Sequence, residues 1–393
     1  PASVKGKPCR RKIREKLLKC YSKVIDVARG LHYFPVQHST STNARADVDF
    51  AAMCNLASLA TEYECAPIIL QNDTHRQEHN DVFGRIVRSS CDQELNLTIL
   101  GREFVIPPRS TFLLSNLCQI TPLYNYTACN GKYDLIVIDP PWENRSAIRG
   151  RKYEWLPTER LPELSIQRLA AKGALVAVWV TNKRKLTMFI RQKLFPKWNI
   201  CYQAEWHWLK FTTGGDLIHE MDSVHKKPYE VVVIGRYMET SSDSSDSTPP
   251  PKRICLESSD SNLKTDSEFG GDQFTEPESG IRNSDYSYSP PNDVEFCTEK
   301  RPIRESSSHE EPVHPEIIKN FVFACVASQA HSQKPYLGDI LDKYCTKQGR
   351  KLELFARNLL PGWTSWGNEV LLFQVPREST DYCVYKKHRG IAK

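Results

Sequence analysis

The chain has 393 residues, of which 40% are hydrophobic and 25% charged, as in a globular protein of two or three domains, so wholesale disorder is excluded. It contains no run of about 18 apolar residues and no apolar core of a secretory signal near its start, so the sequence predicts no membrane-spanning helix. Its 13 cysteines include no Cys-x-x-Cys pair, which favours reduced thiols in a cytosolic or nuclear protein over a disulfide framework or a zinc module.

The net charge of +6 averages over unlike segments. Residues 1–30 hold ten Lys/Arg against two acids, whereas residues 239–313 hold seven Lys/Arg against seventeen acids. Without the acidic segment the remaining chain carries a charge of +16. Such a basic body favours a polyanionic partner, because phosphate neutralisation dominates affinity for nucleic acids, although solubility alone would also explain it.

Residues 1–108 are predicted to form a small basic α+β unit, with nucleic-acid binding as one possible role. A helix is predicted near the start, because apolar residues recur there at helical spacing: Ile13, Leu17, Tyr21, Val24, Ile25 and Ala28. Its basic side is either a solvated face or an arm that binds nucleic acid or a partner. A second helical pattern covers 48–64, polar turns cover 71–81, and residues 95–100 alternate like a strand.

From residue 109 onwards, short apolar runs rich in β-branched residues predict buried strands. These runs are 134–139, 174–180, 230–235, 321–327 and 351–355, and helix-like segments at 158–171 and 182–194 separate some of them. Buried strands alternating with helices predict an α/β sheet covered on both faces. We assign residues 109–238 and 314–378 to the two halves of one domain and residues 379–393 to a basic tail.

Residues 239–313 interrupt that alternation. They are rich in Ser, Asp, Glu and Pro and have almost no apolar periodicity. A segment of this composition cannot bury enough apolar surface to offset its ordering entropy. The sequence therefore predicts a disordered acidic insertion between the two halves of the domain.

The motif with the clearest chemistry is Asp139-Pro140-Pro141-Trp142, directly after the run DLIVI. Two prolines cannot continue a central strand, so the strand ends here, at the edge where α/β sheets bind ligands. An exocyclic amine on a planar base offers two N–H donors and a π face. The Asp139 carboxylate and the Pro140 carbonyl would accept the two hydrogens, and Trp142 would stack on the ring.

These residues resemble the DPPW-type adenine-N6 methyltransferases of the METTL (MT-A) family. The resemblance also rests on the blocks WVTNK (179–183), AEWHWLK (204–210), HKKPYE (225–230) and GWTSWGNE (362–369). It implies a Rossmann-like class I methyltransferase sheet in an α/β fold. The motif order is the permuted, β-class one, because HSQKP (331–335) follows the DPPW strand.

The resemblance implies S-adenosylmethionine as cofactor. The residues that match the family's cofactor site are Asn116, Leu117, Asp139, Lys334, Phe355, Arg357, Asn368 and Glu369. Lys334 would meet the methionine carboxylate or the substrate phosphate, Phe355 would pack near the cofactor, and Arg357 would bond its hydroxyls or carboxylate. Ala356 replaces the usual glycine of the ELFGR block, and Asn116 stands where the family more often has Asp.

The resemblance also assigns residues to the target adenine. Glu230 and Lys334 match the substrate pocket together with Trp142, and the loop 143–155, which includes Asn144 and Arg151, would contact backbone and base. The adenine must leave any base stack to reach Trp142, so single-stranded or flipped substrate is expected.

We therefore predict transfer of a methyl group to adenine N6 in RNA, with small nuclear RNA or 2′-O-methyladenosine sites as the expected targets. DNA adenine, nuclear or mitochondrial, is the first alternative. A catalytically silent nucleic-acid-binding scaffold, as one member of the family's best-known heterodimer is, is the second. We expect a protein that acts as a monomer, without a metal or a membrane, in the nucleus or else in the cytosol or mitochondrion.

Overall fold

The structure is a computed structural model, and it describes residues 8–31, 66–71, 77–143, 156–223, 226–239, 315–328, 333–345 and 349–376. The described residues belong to one compact unit. The helix predicted at 48–64 and the acidic insertion lie outside them. Among the described residues, no helix is both long and apolar enough to cross a membrane.

Thirteen strands are described, and ten of them form one sheet. Their bounds are β1 Ile68–Leu70, β2 Gln77–Glu78, β3 Ile86–Ser89, β4 Leu95–Ile99, β5 Arg102–Ile106, β6 Thr111–Leu114, β7 Tyr133–Ile138, β8 Ala170–Val180, β9 Ile200–Phe211, β10 Tyr229–Tyr237, β11 Val322–Val326, β12 Lys351–Leu354 and β13 Trp363–Gly367. The order in the large sheet is β1-β3-β6-β13-β12-β7-β8-β10-β9-β11, and β2, β4 and β5 form a separate sheet.

Strands β6, β13, β12, β7 and β8 run parallel to one another, and β10 runs antiparallel between β8 and β9. The carboxyl ends of β12, β7, β8 and β9 therefore meet at one edge of the sheet, together with the amino end of β10. The predicted α/β class is confirmed. Strand β7 ends at Ile138 because Pro140 and Pro141 have no N–H for the next ladder bond.

Apart from the first two, with 23 and 10 residues, the described helices are short. They are α1 Pro8–Gly30, α2 Thr121–Asn130, α3 Arg184–Phe189, α4 Phe195–Lys197 and α5 Gly338–Leu341, with a π-helical segment Ile190–Leu194 that joins α3 to α4. The helix predicted near the start is confirmed as α1, and the one predicted at 182–194 is confirmed as α3 and the π-helical segment.

The prediction of a helix at 158–171 is wrong. That region forms two short 3₁₀ segments, Thr158–Glu163 and Ile166–Arg168, and strand β8 already begins at Ala170. Pro162 lies inside the first segment, where its ring and missing N–H oppose an α-helix.

Apolar side chains cover both faces of the large sheet, as the strand patterns predicted. One face includes Ile136, Ile138 and Trp142, and the other includes Val137 and Trp179. Helix α1 packs through Leu17 and Ile25 on a third cluster, which includes Leu209 and Phe211 of β9. Thus α1 covers the end of β9 at the carboxyl edge.

The predicted division into domains remains a prediction. The large sheet is nevertheless continuous across the boundary predicted at residue 108, because β1 and β3 precede that residue and β3 pairs with β6. Within residues 1–108, α1 packs against β9, whereas β2, β4 and β5 form the three-stranded sheet.

Candidate active site

The DPPW motif forms a tight turn at the carboxyl end of β7. The Asp139 N–H donates to the carbonyl of Leu354, at 3.2 Å, which continues the pairing with β12 by one residue. The Trp142 N–H donates to the carbonyl of Pro140, at 2.7 Å. The turn therefore fixes the Asp139 carboxyl group at the edge of the sheet.

The Trp142 side chain is held by the neighbouring strand. Its Nε1 donates to the carbonyl of Trp179 on β8, at 2.9 Å, and only 6% of the residue is exposed. A buried Trp normally finds a partner for its N–H, so this bond sets the orientation of the ring. The role of Trp142 in stacking on a base remains a prediction.

Lys334 lies between two carboxylates. Its Nζ is 3.2 Å from Oδ2 of Asp139 and 3.2 Å from Oε2 of Glu230. Burial acts to lower the pKa of Lys334, but the carboxylates of Asp139 and Glu230 outweigh it, so its pKa is raised. The lysine is thus a fixed positive charge between the two residues that the sequence assigns to the adenine site.

Glu230 has a second cationic partner, Lys210 on β9, and the two side chains form an ion pair. Burial acts to raise the pKa of Glu230, but the ammonium groups of Lys334 and Lys210 together outweigh it and lower that pKa. Glu230 is therefore an ionised hydrogen-bond acceptor at neutral pH.

Arg357 extends the network on the other side of Asp139. Its Nη1 lies 3.4 Å from Oδ2 of Asp139, and its Nε lies 2.8 Å from Oε2 of Glu369. Six charges of alternating sign thus form a chain along the carboxyl edge: Lys210, Glu230, Lys334, Asp139, Arg357 and Glu369. Opposite charges at these distances stabilise one another and hold the edge in a single arrangement.

The turn after β12 carries two unusual backbone features. Phe355 has a φ of 59°, a left-handed conformation that is uncommon for a residue with a side chain. A Cβ on Gly367 would lie only 2.7 Å from the carbonyl oxygen of Ala356. Gly367 therefore permits β13 to approach the turn after β12 closely at Ala356, the position of the usual glycine of the ELFGR block.

The other predicted cofactor residues lie near the same edge. The Asn116 Oδ1 accepts a hydrogen bond from the Cys118 N–H, at 2.8 Å, so this side chain shapes the turn after β6. Leu117 and Asn368 are buried. The predicted residues Asn144 and Arg151, like the HSQKP residues His331 and Ser332, lie outside the described residues.

Three residues at this edge were not predicted to belong to the site: Lys210, Trp179 and Glu353. Trp179, Lys334, Glu353 and Asn358 line a small open pocket. Burial and the nearby Asp139 carboxylate raise the pKa of Glu353 to about 8, against the opposing effect of Arg357 and Lys334. Glu353 is therefore mostly protonated at pH 7.

The signal that could have identified these three residues is their position. Lys210, Trp179 and Glu353 lie near the carboxyl ends of β9, β8 and β12, and ligands of open α/β sheets bind at those ends. Within the described ranges, no group of three or more His, Cys, Asp or Glu side chains is arranged to hold a metal ion.

The MT-A70 family model matches residues 133–262 and 300–369. Human N(6)-adenine-specific methyltransferase METTL4 is 35% identical over 306 residues, which cover 78% of this chain and 51% of that protein. The N6-methyladenosine RNA methyltransferase MTA1 of Pyricularia oryzae is 27% identical over 294 residues, 72% of this chain and 58% of that protein. The DNA N6-methyl methyltransferase of Caenorhabditis elegans is 29% identical over 276 residues, 70% of this chain and 55% of that protein.

Proposed function

Because this chain belongs to the MT-A70 family, we propose that it transfers the methyl group of S-adenosylmethionine to N6 of an adenine in a nucleic acid. The chain spans about half the length of the human relative, so the proposal concerns the activity that the matched region would carry. The observation that carries it is the position of Asp139, which directly follows the end of β7. Its carboxylate lies beside the Pro140 carbonyl and is held by Lys334 and Arg357.

The side chains at the edge fit the proposed cofactor by their chemistry. Lys334 and Arg357 are cations suited to the carboxylate of its methionine portion. Glu369 and the buried Asn368 offer acceptors, and Asn368 also a donor, for ribose hydroxyls. Because Gly367 allows β13 to approach the turn after β12, these groups converge on one place. When bound, S-adenosylmethionine supplies an electrophilic methyl carbon on a sulfonium centre.

Asp139 and Pro140 would position the adenine amine. The Pro140 carbonyl already accepts one hydrogen bond from the Trp142 N–H, and a carbonyl oxygen has a second lone pair for the substrate. The Asp139 carboxylate would accept the other N6 hydrogen. Two acceptors in fixed positions direct the nitrogen lone pair towards the methyl group, which is catalysis mainly by orientation.

Asp139 would also stabilise the positive charge that develops on N6 during transfer. The amine lone pair is delocalised into the ring, so bare N6 is a weak nucleophile, and an ionised acceptor stabilises the cation. The proton on N6 then passes to Asp139 or to water. Glu353 remains mostly protonated, so Asp139 and Glu230 are the charged acceptors closest to Lys334.

The proposed substrate is RNA with an unstacked adenine, and DNA is the alternative. One relative is named as an RNA methyltransferase and another as a DNA methyltransferase. Direct assay of matched RNA and DNA oligonucleotides distinguishes the two substrates.

The test is incubation of the purified protein with methyl-labelled S-adenosylmethionine and single-stranded RNA or DNA 20-mers that contain one adenine. Oligonucleotides with inosine at that position are the matched control, because inosine has an oxygen in place of N6. Label released as N6-methyladenosine or N6-methyldeoxyadenosine supports the proposal and identifies the sugar, and an RNA with a 2′-O-methyl adenosine tests that preference. Cofactor binding without label on any oligonucleotide would instead favour a silent scaffold.

A further inference from the structure

A run of exposed cations leads away from the candidate active site along residues 183–197. All six Lys and Arg side chains in this run are exposed: Lys183, Arg184, Lys185, Arg191, Lys193 and Lys197. The sequence between residues 182 and 204 contains no Asp or Glu. We call these residues the basic helix, since α3, the π-helical segment and α4 follow one another without a break.

The opposite side of the basic helix is fixed to the sheet. Ile190, Leu194 and Phe195 are fully buried in the apolar cluster that also contains Trp142. The helix therefore lies on the same face of the sheet as the DPPW tryptophan, and its cations point away from that face. A helix that packs through one apolar side presents its charged side to solvent.

The start of the basic helix adjoins the site directly. It follows the end of β8, where the Trp179 carbonyl accepts the hydrogen bond from Trp142. The Lys183 Nζ donates to the carbonyl of Glu143, the residue after the DPPW motif, at 3.4 Å. From this point the helix runs back along the sheet towards the beginning of β9.

An acid on the packed strands lies near these cations. Glu205 on β9 lies near Arg191 and Arg184. Burial raises the pKa of Glu205, and the two guanidinium groups only partly oppose that effect. Arg191 also stacks over the ring of Tyr202, with its Cζ 4.1 Å from the centroid. Among the described residues, Lys185, Lys193 and Lys197 form no ion pair.

We propose that the basic helix binds the phosphate backbone of the substrate strand next to the target adenine. The proposal rests on the proposed function, because it places the rest of the strand once the adenine is at Asp139. The 14 residues 184–197 span about 20 Å at the rise of an α-helix. At about 3.4 Å per phosphate of a stacked strand, that length covers about six nucleotides.

The test uses a triple variant, Lys185→Gln, Lys193→Gln and Lys197→Gln. Glutamine keeps the helix propensity and removes the charge. The matched control, Arg88→Gln, Lys319→Gln and Lys343→Gln, removes the same charge from exposed positions outside both α1 and the basic helix. Binding of a labelled single-stranded 20-mer is measured by anisotropy between 50 and 200 mM salt, without cofactor, and each variant's fold is checked by thermal unfolding.

We expect about tenfold weaker binding for the basic-helix variant and a salt slope that is smaller by about 2, as for three lost phosphate contacts on a single strand. The control should change both quantities much less. Unchanged affinity and slope in the basic-helix variant, or equal losses in both variants, would overturn the proposal. Equal losses would show an effect of net charge alone.

A second readout separates this proposal from the proposed function. With methyl transfer as the assay, the preference for a 20-mer over an adenine-containing trinucleotide, as a ratio of kcat/KM, should fall about tenfold in the basic-helix variant. An unchanged ratio in an active enzyme would reject the phosphate contact and leave the activity intact. If the parent protein transfers no methyl group, the proposed function fails. The binding experiment would still show whether the basic helix binds the phosphate backbone.

Discussion

The Nζ atom of Lys334 lies 3.2 Å from Oδ2 of Asp139, although the two residues are 195 positions apart in the chain. The same ammonium group reaches Glu230 at 3.2 Å. One lysine thus fixes the two carboxylates that the sequence assigns to the adenine. It also supplies the positive charge expected near the cofactor carboxylate, so its removal should affect both stability and binding.

For Lys334→Ala we expect weaker binding of S-adenosylmethionine and a loss of stability of about 3 kcal/mol, because a partly buried ion pair loses its cation. The pKa of Glu230, which Lys334 lowers, should rise. Calorimetric titration and denaturant unfolding measure the two main effects. Lys319→Ala, at an exposed position, is the control. Unchanged cofactor affinity would remove Lys334 from the binding site.

The raised pKa of Glu353 predicts a specific pH dependence of stability. Its pKa is raised to about 8 in the folded protein from an ordinary value of 4.5, so between these values the folded state binds more protons than the unfolded state. Stability from this group is therefore full below about pH 4.5 and is lost as the pH rises towards 8.

The variant Glu353→Gln cannot lose a proton, so its stability should lack this dependence on pH. The difference in melting temperature between Glu353→Gln and the parent should move in favour of the variant as the pH rises from 5 to 8.5. Thermal unfolding at closely spaced pH values measures it. A difference that stays constant over this range would show that Glu353 has an ordinary pKa.

The substitution Gly367→Ala tests the close backbone contact that brings Arg357 to Glu369. In Gly367→Ala the new Cβ would lie 2.7 Å from the Ala356 carbonyl oxygen and 3.2 Å from its nitrogen, and backbone atoms cannot give way cheaply. We expect a loss of about 1–3 kcal/mol of stability and weaker cofactor binding.

Gly30→Ala is the matched control for that change, because nothing lies within 4 Å of a Cβ at Gly30. It should change stability by less than about 0.5 kcal/mol. Equal effects of the two substitutions in chemical denaturation would contradict the close approach at Gly367.

Local sequence features were sufficient to predict the strand β7 and the motif that follows it. The apolar run marks a buried strand, and the two prolines fix its end. The same reasoning failed at 158–171, which contains Leu161, Leu164 and Leu169 and was predicted to be helical. Their side chains are buried as expected, but Pro162 and the early start of β8 produce 3₁₀ segments instead.

The contacts between distant residues could not be predicted from local pattern. Glu230 meets Lys210 because β10 and β9 pair antiparallel, and Glu230 meets Lys334 only because the chain after β11 returns to the same edge. A lysine within a predicted strand or motif, such as Lys210, carries no local sign of its ionic partner. The strand order of the sheet, which sequence reasoning did not provide, decides these contacts.

The central claim is that the Asp139 carboxylate positions N6 and stabilises its developing charge, and Asp139→Asn tests it most directly. Asparagine keeps the size of the side chain and removes the ionised acceptor. Methyl transfer to a one-adenine oligonucleotide should fall at least about 100-fold, while calorimetry still detects cofactor binding and thermal unfolding still shows a cooperative transition. Transfer at the parental rate by a folded Asp139→Asn protein would contradict the account.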